Sequence, residues 1–393
     1  SGYNLSMKSL SKMAERSVGQ PMFLILEAAE KLEREGKHIL HFELGEPDFD
    51  TPSNIIKSAN KALEEGFTHY TSSMGLHEFR QAIADVTENS RGFRPDLNQI
   101  LVTPGANAII YLTIASVVNS GEEVIVPDPG FPTYFSALDM CGAKTVSVPL
   151  KEENEFQLSP KDLMEAITEK TKLIIVNSPS NPTGSCMTPE QISEVAKIAE
   201  EKNLYLLSDE IYSRLIFENF EFSSPGSYDL CKERTIILNG FSKAFAMTGW
   251  RLGVAIGPVK LMEKMNLMLN TIVSCVPPFI QIAGIEALKG DQSELLKMKE
   301  EYYERMKVLV EGLNTFSTIS CVSPKGAMYV FPNISKTGLS SEEFASICLN
   351  EAGVALLPGT SFGSFGEGFA RMCYVNSKEK IEEALERMRK IFK

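Results

Sequence analysis

The chain has 393 residues, of which 43% are hydrophobic and 23% are charged, which is ordinary for a globular enzyme. At roughly 100–200 residues per domain, this length predicts two or three domains, or one large and one small domain. The net charge of −12 argues against nucleic acid or an anionic membrane as the main partner, while local basic pockets for small anions stay open.

Cysteine and histidine usage argues against a metal centre. The seven cysteines are scattered, odd in number and without a CxxC pair, which indicates reduced thiols and a cytoplasmic protein. His38 and His41 form an HxxH without further ligands, so we expect no metal. The longest mainly apolar stretch, 108–118, is shorter than the roughly 20 residues of a membrane span, so no membrane partner is expected.

Short apolar runs alternate with helical patterns between residues 98 and 260 and predict a mostly parallel sheet. The runs are nearly continuous, as in strands buried on both faces. Helix-start signals separate them, among them Thr188-Pro189-Glu190-Gln191, a capping box with proline at the first helical position. The candidate strands are QILV (99–102), EVIVP (123–127), KLIIV (172–176), LYLLS (204–208), TIIL (235–238) and GVAIG (253–257).

The pattern changes after residue 290. Residues 291–320 predict a long charged amphipathic helix, and short strands follow at 327–332 and 370–375. A last helix places four apolar residues on one face, namely Ile381, Leu385, Met388 and Phe392. We therefore expect three segments: 1–45 as an N-terminal arm and part of a small domain, 46–290 as the large domain, and 291–393 as a small α+β domain.

Candidate ligand-binding residues follow the first three strands, at the edge where parallel sheets bind ligands. Gly105 comes after QILV and opens a helix whose free amides suit a phosphate, although such a turn is common. Phe131 comes after EVIVP and either stacks on a flat ligand or belongs to the core. Asn181 lies in NPTG after KLIIV, a sequence that on its own indicates a turn.

The next two strands end in charged groups. Asp209 ends a buried apolar strand, where a carboxylate is costly without a cationic partner, and Tyr212 follows it. Lys243 comes after TIIL among small and apolar residues, eight positions ahead of Arg251. Lys243 either reaches water or is a desolvated amine that reacts with a carbonyl, and the collection of polar residues at one edge favours the amine.

These residue types suit pyridoxal phosphate. Its aldehyde forms a Schiff base with a lysine, and an apolar setting lowers the lysine pKa from about 10.4 so that the amine can attack. A buried Asp209 would keep a proton on the pyridine nitrogen, and Asn181 and Tyr212 would donate to the ring oxygen. Helix-terminal amides, a hydroxyl and Arg251 suit the phosphate, because a guanidinium binds phosphate in a bidentate manner.

A set of motifs along nearly the whole chain resembles the class I/II aminotransferase family, fold type I of the pyridoxal-phosphate enzymes. The resemblance is to the aspartate/aromatic branch, and closest to the archaeal and bacterial members that act on aromatic and other neutral amino acids. The motifs are LGEPDFDTP (44–52), HYTSSMG (69–75), TPGANA (103–108), NSPSNPTG (177–184), SDEIY (208–212), NGFSKAFAMTGWRLG (239–253), KGAMYVFP (325–332), PGTSFG (358–363) and FARMCYV (369–375).

The resemblance implies an α/β fold with a large cofactor-binding domain, built on a mostly parallel seven-stranded sheet flanked by helices, and a smaller α+β domain. It implies a homodimer in which Tyr70 reaches the phosphate in the neighbouring subunit's site. Many members have a phosphate-binding serine three residues before the lysine, where this chain has Gly240, so Ser242 is the candidate replacement. The implied residues are Lys243, Asp209 and Tyr212 for catalysis; Gly105, Ala106, Asn107, Phe131, Asn181, Ser242 and Arg251 for the cofactor; and Gly45, Asn181 and Arg371 for the substrate.

The resulting prediction is an aminotransferase that moves an amino group from an amino acid to a 2-oxo acid such as 2-oxoglutarate. Other enzymes of the same scaffold stay open, namely a β-C–S lyase, an aminocyclopropane carboxylate synthase-like enzyme or a decarboxylase. A regulatory domain behind a DNA-binding segment is the third possibility. That arrangement needs a basic segment ahead of the motifs, whereas here they begin near Gly45 and the chain is acidic.

Charge near the site predicts the choice of amino donor. Family members that prefer aspartate commonly use a second cation, either an arginine beyond the phosphate arginine or a lysine in the glycine loop. Here the loop position is Asn107, and residues 252–304 contain no arginine. Residues 18–26, which we expect to cover the site as a lid, are largely apolar. We therefore expect neutral donors, aromatic or large aliphatic, with 2-oxoglutarate still admitted as the acceptor.

Overall fold

The computed structural model describes residues 6–393, and a large sheet forms its centre. The strands in chain order are β1 (Leu40–His41), β2 (Ile100–Thr103), β3 (Glu123–Asp128), β4 (Lys144–Pro149), β5 (Thr171–Asn177), β6 (Tyr205–Asp209), β7 (Thr235–Gly240), β8 (Gly253–Ile256), β9 (Tyr329–Val330), β10 (Val354–Ala355), β11 (Leu357–Pro358) and β12 (Ala370–Cys373). The large sheet has the order β2-β8-β7-β6-β5-β3-β4. Strand β8 is antiparallel to both neighbours, and the other four pairings are parallel.

The predicted α/β fold with a mostly parallel seven-stranded sheet is confirmed. All six predicted strands of this sheet form, with bounds that differ by one or two residues. The seventh strand, β4, was not among the strands picked from the sequence. It lies at the sheet edge, where five of its six residues are half-buried or exposed and only Val148 is buried, so it lacks a continuous apolar run.

Helices cover both faces of the large sheet. Those that the structure describes are α1 (Lys12–Arg16), α2 (Met22–Arg34), α3 (Ser53–Glu64), α4 (His77–Arg91), α5 (Asn107–Val117), α6 (Pro132–Cys141), α7 (Pro160–Ala166), α8 (Pro189–Glu201), α9 (Gly226–Asp229), α10 (Val259–Val273), α11 (Pro278–Lys289), α12 (Ser293–Leu313), α13 (Ser341–Ile347) and α14 (Lys378–Arg389). Because successive strand residues point to opposite faces, Val124 and Val126 pack with α5, α6 and α10, while Ile125 packs with α7 and α8. The capping box of α8 forms as predicted, with Thr188 and Gln191 exchanging hydrogen bonds of 2.8 and 3.2 Å.

The C-terminal part of the chain builds a second layer of structure. Helix α12 ends at Leu313, earlier than predicted, and α14 packs against it. The two helices approach closely because Gly312 lacks a Cβ, which would overlap the side chain of Leu385. Strands β11, β12 and β9 form an antiparallel sheet, and β1 pairs with β10, so residues 40–41 join the C-terminal part.

The segment before α2 lies across the end of α6. The Arg16 guanidinium donates to the carbonyls of Asp139 and Met140 at 2.8 Å each, at the C-terminus of that helix. The Gln20 side chain donates to the Thr133 hydroxyl at 2.7 Å. These bonds hold the start of α2 over the carboxyl edge of the sheet. No helix among residues 6–393 is both long and apolar enough to span a membrane.

Candidate active site

A cavity of about 170 Å³ opens at the carboxyl ends of β5, β6 and β7, beside the start of α5. Eleven of the thirteen residues proposed from the sequence line it, namely Gly45, Ala106, Asn107, Phe131, Asn181, Asp209, Tyr212, Ser242, Lys243, Arg251 and Arg371. Gly105 lies just outside it, against Arg251. Tyr70 does not line the cavity and is 88% exposed. The structure therefore brings together residues that are up to 326 positions apart in the chain, from Gly45 to Arg371.

Lys243 lies on the loop after β7 with its amine directed into the cavity. Its Nζ donates to the carbonyl oxygen of Gly45. Burial, and next the positive charge of Arg371, lower the pKa of Lys243 to about 8. Its neighbours Ala244, Phe245 and Ala246 are buried apolar residues, which explains why water does not stabilise the charged form. The neutral amine is therefore populated at a lower pH than in an ordinary lysine.

Asp209 is the last residue of β6 and is 4% exposed. Its Oδ2 accepts from the Tyr134 hydroxyl at 2.5 Å, and its Oδ1 accepts from the Ile211 amide at 3.2 Å. Burial raises the pKa of Asp209 to about 6, and the hydrogen bonds from Tyr134 and Ile211 oppose that rise. Asp209 is thus a buried carboxylate that is ionised at neutral pH and has capacity for a cationic partner.

The glycine loop between β2 and α5 forms an anion-binding end of the cavity. Gly105 has a φ of +86°, and a Cβ at this position would overlap the Arg251 guanidinium, so only glycine allows this approach. Helix α5 begins at Asn107, and no side chain of residues 6–393 caps its first turn. Arg251 donates to the Thr248 carbonyl at 3.0 Å and to the Ser242 hydroxyl at 3.4 Å. Free amides, a hydroxyl and a guanidinium therefore converge here.

The position of Gly240 bears on the missing serine. A Cβ at Gly240 would lie 3.4 Å from the Cβ of Ala106 and 3.3 Å from Cδ1 of Ile211, both of which line the cavity. A side chain at this position would therefore contact two residues of the cavity wall. Ser242 lines the cavity itself and contacts Arg251, so its hydroxyl is available at the same end.

Arg371 of β12 is 1% exposed and lines the cavity. It donates to Asn181 Oδ1 at 2.9 Å and to the Glu43 carbonyl at 2.5 Å, and it lies over the Tyr329 ring at 4.4 Å from the centroid. Its Nε has no hydrogen-bond partner in the described part of the chain. A buried guanidinium with an unused donor is suited to an anionic ligand.

Tyr212 and Tyr329 contact each other and line the cavity together with Asp209 and Arg371. Their hydroxyls lie 2.5 Å apart, and their rings meet edge to face with centroids 5.6 Å apart. Gly45 packs against the Tyr329 side chain so closely that a Cβ at residue 45 would overlap the Tyr329 hydroxyl. The two hydroxyls and the Gly45 carbonyl therefore meet within one part of the cavity.

Comparison with known proteins assigns the chain to a family. A family model described as aminotransferase class I and II matches residues 37–388. The chain belongs to this family. Among the curated aminotransferases, "Aspartate aminotransferase" of Pyrococcus horikoshii is 42% identical over 371 residues, 93% of each chain. "Aromatic-amino-acid aminotransferase 2" of Thermococcus litoralis is 42% identical and covers 90% of this chain and 92% of its own.

Solved aminotransferase structures agree with this assignment. An aromatic aminotransferase from Pyrococcus horikoshii superposes with a TM-score of 0.88 and 40% identity over 93% of this chain and 98% of its own. Aspartate aminotransferase from Thermus thermophilus with maleate has a TM-score of 0.93 and 34% identity, over 98% of this chain and 100% of its own. The protein is a pyridoxal-phosphate-dependent aminotransferase with the type I fold, and the other reactions considered for the scaffold are set aside.

Several residues in the site of this aminotransferase were not selected from the sequence, among them two tyrosines. Tyr134, which donates to Asp209, lies in the segment DPGFPTY, from which only Phe131 was selected. Tyr329 lies in KGAMYVFP, a motif that was recognised without assigning a role to its tyrosine. Gln20 and Met22 also line the cavity, and they belong to the stretch 18–26 that the sequence analysis places over the site.

Proposed function

We propose that this aminotransferase moves the amino group of a neutral amino acid, aromatic or large aliphatic, to a 2-oxo acid such as 2-oxoglutarate. The observation that carries the proposal is one cavity that holds a desolvated amine at Lys243 and a buried carboxylate at Asp209. When bound there, pyridoxal phosphate supplies an aldehyde that takes up an amino group and a ring that accepts electron density.

The described residues fit this cofactor. We assign its phosphate to the amides of Ala106 and Asn107 with Arg251 and Ser242, because donors and positive charge converge there while no carboxylate lines that end. We assign the stacking surface to Phe131, whose ring borders the cavity and meets Tyr134 edge to face at 5.5 Å. This leaves the flat face of Phe131 available to a planar ring.

Asp209 would hold a proton at the ring nitrogen. Above pH 6 its carboxylate is ionised, and Tyr134 fixes the orientation of its Oδ2. Asn181 and Tyr212 would donate to the ring oxygen. Since Asn181 Oδ1 already accepts from Arg371, its Nδ2 remains to donate to a ligand.

Lys243 and Arg371 would divide the work on the substrate. With a pKa of about 8, Lys243 is partly neutral at physiological pH, so its Nζ can attack a carbonyl and afterwards accept and return a proton. Arg371 would bind the α-carboxylate through its guanidinium, with Gly45 close by. Holding the carboxylate on one wall and the amine on the other orients the bond that loses its proton.

The charges of the cavity favour neutral donors. Its cationic side chains are Lys243, Arg251 and Arg371, and each has a proposed task. Desolvating a second, unpaired carboxylate would cost several kcal/mol. The remaining wall includes Met22, Leu44 and Ile110, where burying a large apolar side chain gains roughly 1.5–3 kcal/mol. The names of the relatives include both aspartate and aromatic amino acids, so they do not discriminate between the two kinds of donor. Our choice of neutral donors therefore rests on the charges of the cavity.

The test is a single-turnover measurement of amino transfer to the cofactor, without an acceptor, from Phe, Tyr, Leu, Met and Asp in turn. We expect the neutral donors to react at least tenfold faster than Asp. The Lys243→Ala variant is the control, and it should lose both turnover and the visible absorbance of bound cofactor. Asp as the fastest donor by tenfold would show a further cation in the pocket and overturn this specificity.

We also propose that the enzyme is a homodimer in the cytoplasm and that Tyr70 reaches the phosphate in the neighbouring subunit's site. Tyr70 is 88% exposed and lies outside its own cavity, which supports a role in another subunit. Helix α10 exposes the apolar side chains of Leu267 and Ile272, and these support a subunit interface on this surface.

A further inference from the structure

A second cavity, of about 340 Å³, lies behind the loop that carries Lys243. It shares no lining residue with the candidate active site. Its walls come from the C-terminal half of α4, from β7 and β8, and from the loop that follows β6. Most of this surface is apolar, and it includes Ile83, Phe222 and Leu288.

The loops after β6 and β7 contribute residues to both cavities, with neighbouring residues directed to opposite sides. Asp209 faces the active site, while the next residue, Glu210, is directed to the other side and pairs with Arg91 of the second cavity. On the following loop Lys243 faces the active site, and Phe241 and Phe245 face the second cavity. The second cavity therefore adjoins the back of the catalytic loop.

One arginine of the second cavity is fully used by the protein. Arg91 donates to Glu210 at 2.7 Å and to Ser90 at 2.8 Å, with a longer bond of 3.4 Å to Ser213. Glu210 in turn accepts from two further hydroxyls, so both of its oxygens are satisfied. This pair is electrically neutral and leaves little for a ligand to displace.

The second arginine of this cavity, Arg214, has no polar partner among the described residues. Arg214 forms no hydrogen bond or ion pair with any residue of 6–393, although its guanidinium carbon lies 4.9 Å from the ring centroid of Phe245. Its side chain is exposed at the mouth of the cavity, and no aspartate or glutamate lines the wall. The cavity thus has one uncompensated positive charge beside an apolar and aromatic surface.

We propose that this second cavity binds a small organic monoanion with an apolar body, such as an aryl-substituted carboxylate. The carboxylate pairs with Arg214 at the mouth, and the ring enters between Phe222, Phe245 and the apolar wall. Ligand sites of this kind combine mostly apolar walls with a few placed polar groups. Pairing with a guanidinium is favourable here because its planar fork matches a carboxylate. The proposal does not depend on the substrate assigned to the active site.

The test is isothermal titration of the holoenzyme with 3-phenylpropanoate. This probe can also enter the active site through Arg371, so the wild type should show two sites per chain. Arg214→Gln should lose one of them by at least tenfold in affinity, and Arg371→Gln should lose the other. Arg214→Lys keeps the charge and should retain the second site, and 3-phenylpropan-1-ol, which lacks the carboxylate, should not bind there.

The outcomes separate this proposal from the function proposed for the active site. Since Arg214 is exposed and outside the active site, Arg214→Gln should fold and transfer amino groups within twofold of the wild-type rate when the probe is absent. A wild type with a single site that Arg371→Gln removes would overturn the second site and leave the proposed function intact. A second site that survives in Arg214→Gln would equally overturn it.

Discussion

The buried charge of Asp209 destabilises the folded protein when no cofactor is bound. Burial raises its pKa from 3.8 to about 6 in the folded chain, so above pH 6 the folded state holds a charge that the unfolded state solvates better. At about 1.4 kcal/mol per pKa unit, this costs the folded state roughly 3 kcal/mol at neutral pH. The cost disappears as the pH falls from 6 to about 4, where folding takes up a proton.

We therefore predict that Asp209→Asn stabilises the cofactor-free protein at pH 8 while it weakens cofactor binding. The amide removes the buried charge, and the Tyr134 hydroxyl can rotate to accept from its Nδ2. Urea unfolding of both proteins at pH 8 and pH 4.5 measures the effect, and the difference should shrink at the lower pH. Tyr134→Phe is the comparison: it keeps the charge and loses a bond, so it should be destabilised. An Asn variant less stable than wild type at pH 8 would contradict this account.

At the scale of elements, His41 joins α2 to β1. Its Nδ1 lies 2.6 Å from Glu43 Oε1, and its Nε2 lies 2.7 Å from Glu33 Oε1 on α2. The hydrogen bond to Glu43, opposed by desolvation and helped by Glu33, raises the pKa of His41 to about 9. The carbonyl of Glu43 accepts from Arg371, so this link adjoins the substrate-binding wall.

The histidine link predicts a pH dependence of stability. Because the folded pKa is above the unfolded value of about 6.5, the stabilisation is complete below pH 6.5 and is lost as the pH rises toward 9. The free energy of unfolding should therefore fall from pH 6.5 to about 8 in wild type and fall less in His41→Gln, since above that pH the lowered pKa of Lys243 acts in the opposite sense. His38→Gln, which changes the other histidine of the same HxxH, should keep the wild-type slope. Equal slopes in wild type and His41→Gln would show that His41 is not the group responsible.

The sequence predicted strands best where the strand is buried on both faces. Strands such as β5 and β6 are buried on both sides, so their apolar runs were visible, and the groups that follow them were collected correctly. Strand β4 was not visible because edge position leaves its pattern mixed. Tyr134 and Tyr329 were missed because an aromatic residue near a strand end is usually core, and only packing reveals which hydroxyl meets Asp209 or Tyr212.

At the scale of the whole molecule, the division into 1–45, 46–290 and 291–393 stays a proposal, as does the dimer. If Tyr70 serves the neighbouring site, Lys243→Ala and Tyr70→Ala chains should complement each other. A mixed dimer would contain one intact site, with Lys243 from one chain and Tyr70 from its partner.

We predict that co-expression of these two variants in equal amounts restores about one quarter of the wild-type sites, because half of the dimers are mixed and each has one intact site. Purification through two different affinity tags isolates the mixed dimer, which should reach about half of wild-type activity. The two separately purified variants, assayed together without exchange, are the control. A mixed dimer no more active than the mean of its parents would place the Tyr70 contribution within its own chain or nowhere.

The bond from Arg371 to the Glu43 carbonyl joins residues 328 positions apart. During synthesis, the chain emerges from the ribosome N-terminus first. Lys243, Asp209 and the glycine loop are therefore synthesised before Arg371, the residue that we propose binds the substrate carboxylate. A chain that ends before residue 371 would contain the proposed cofactor-binding residues and lack the arginine proposed for the substrate carboxylate.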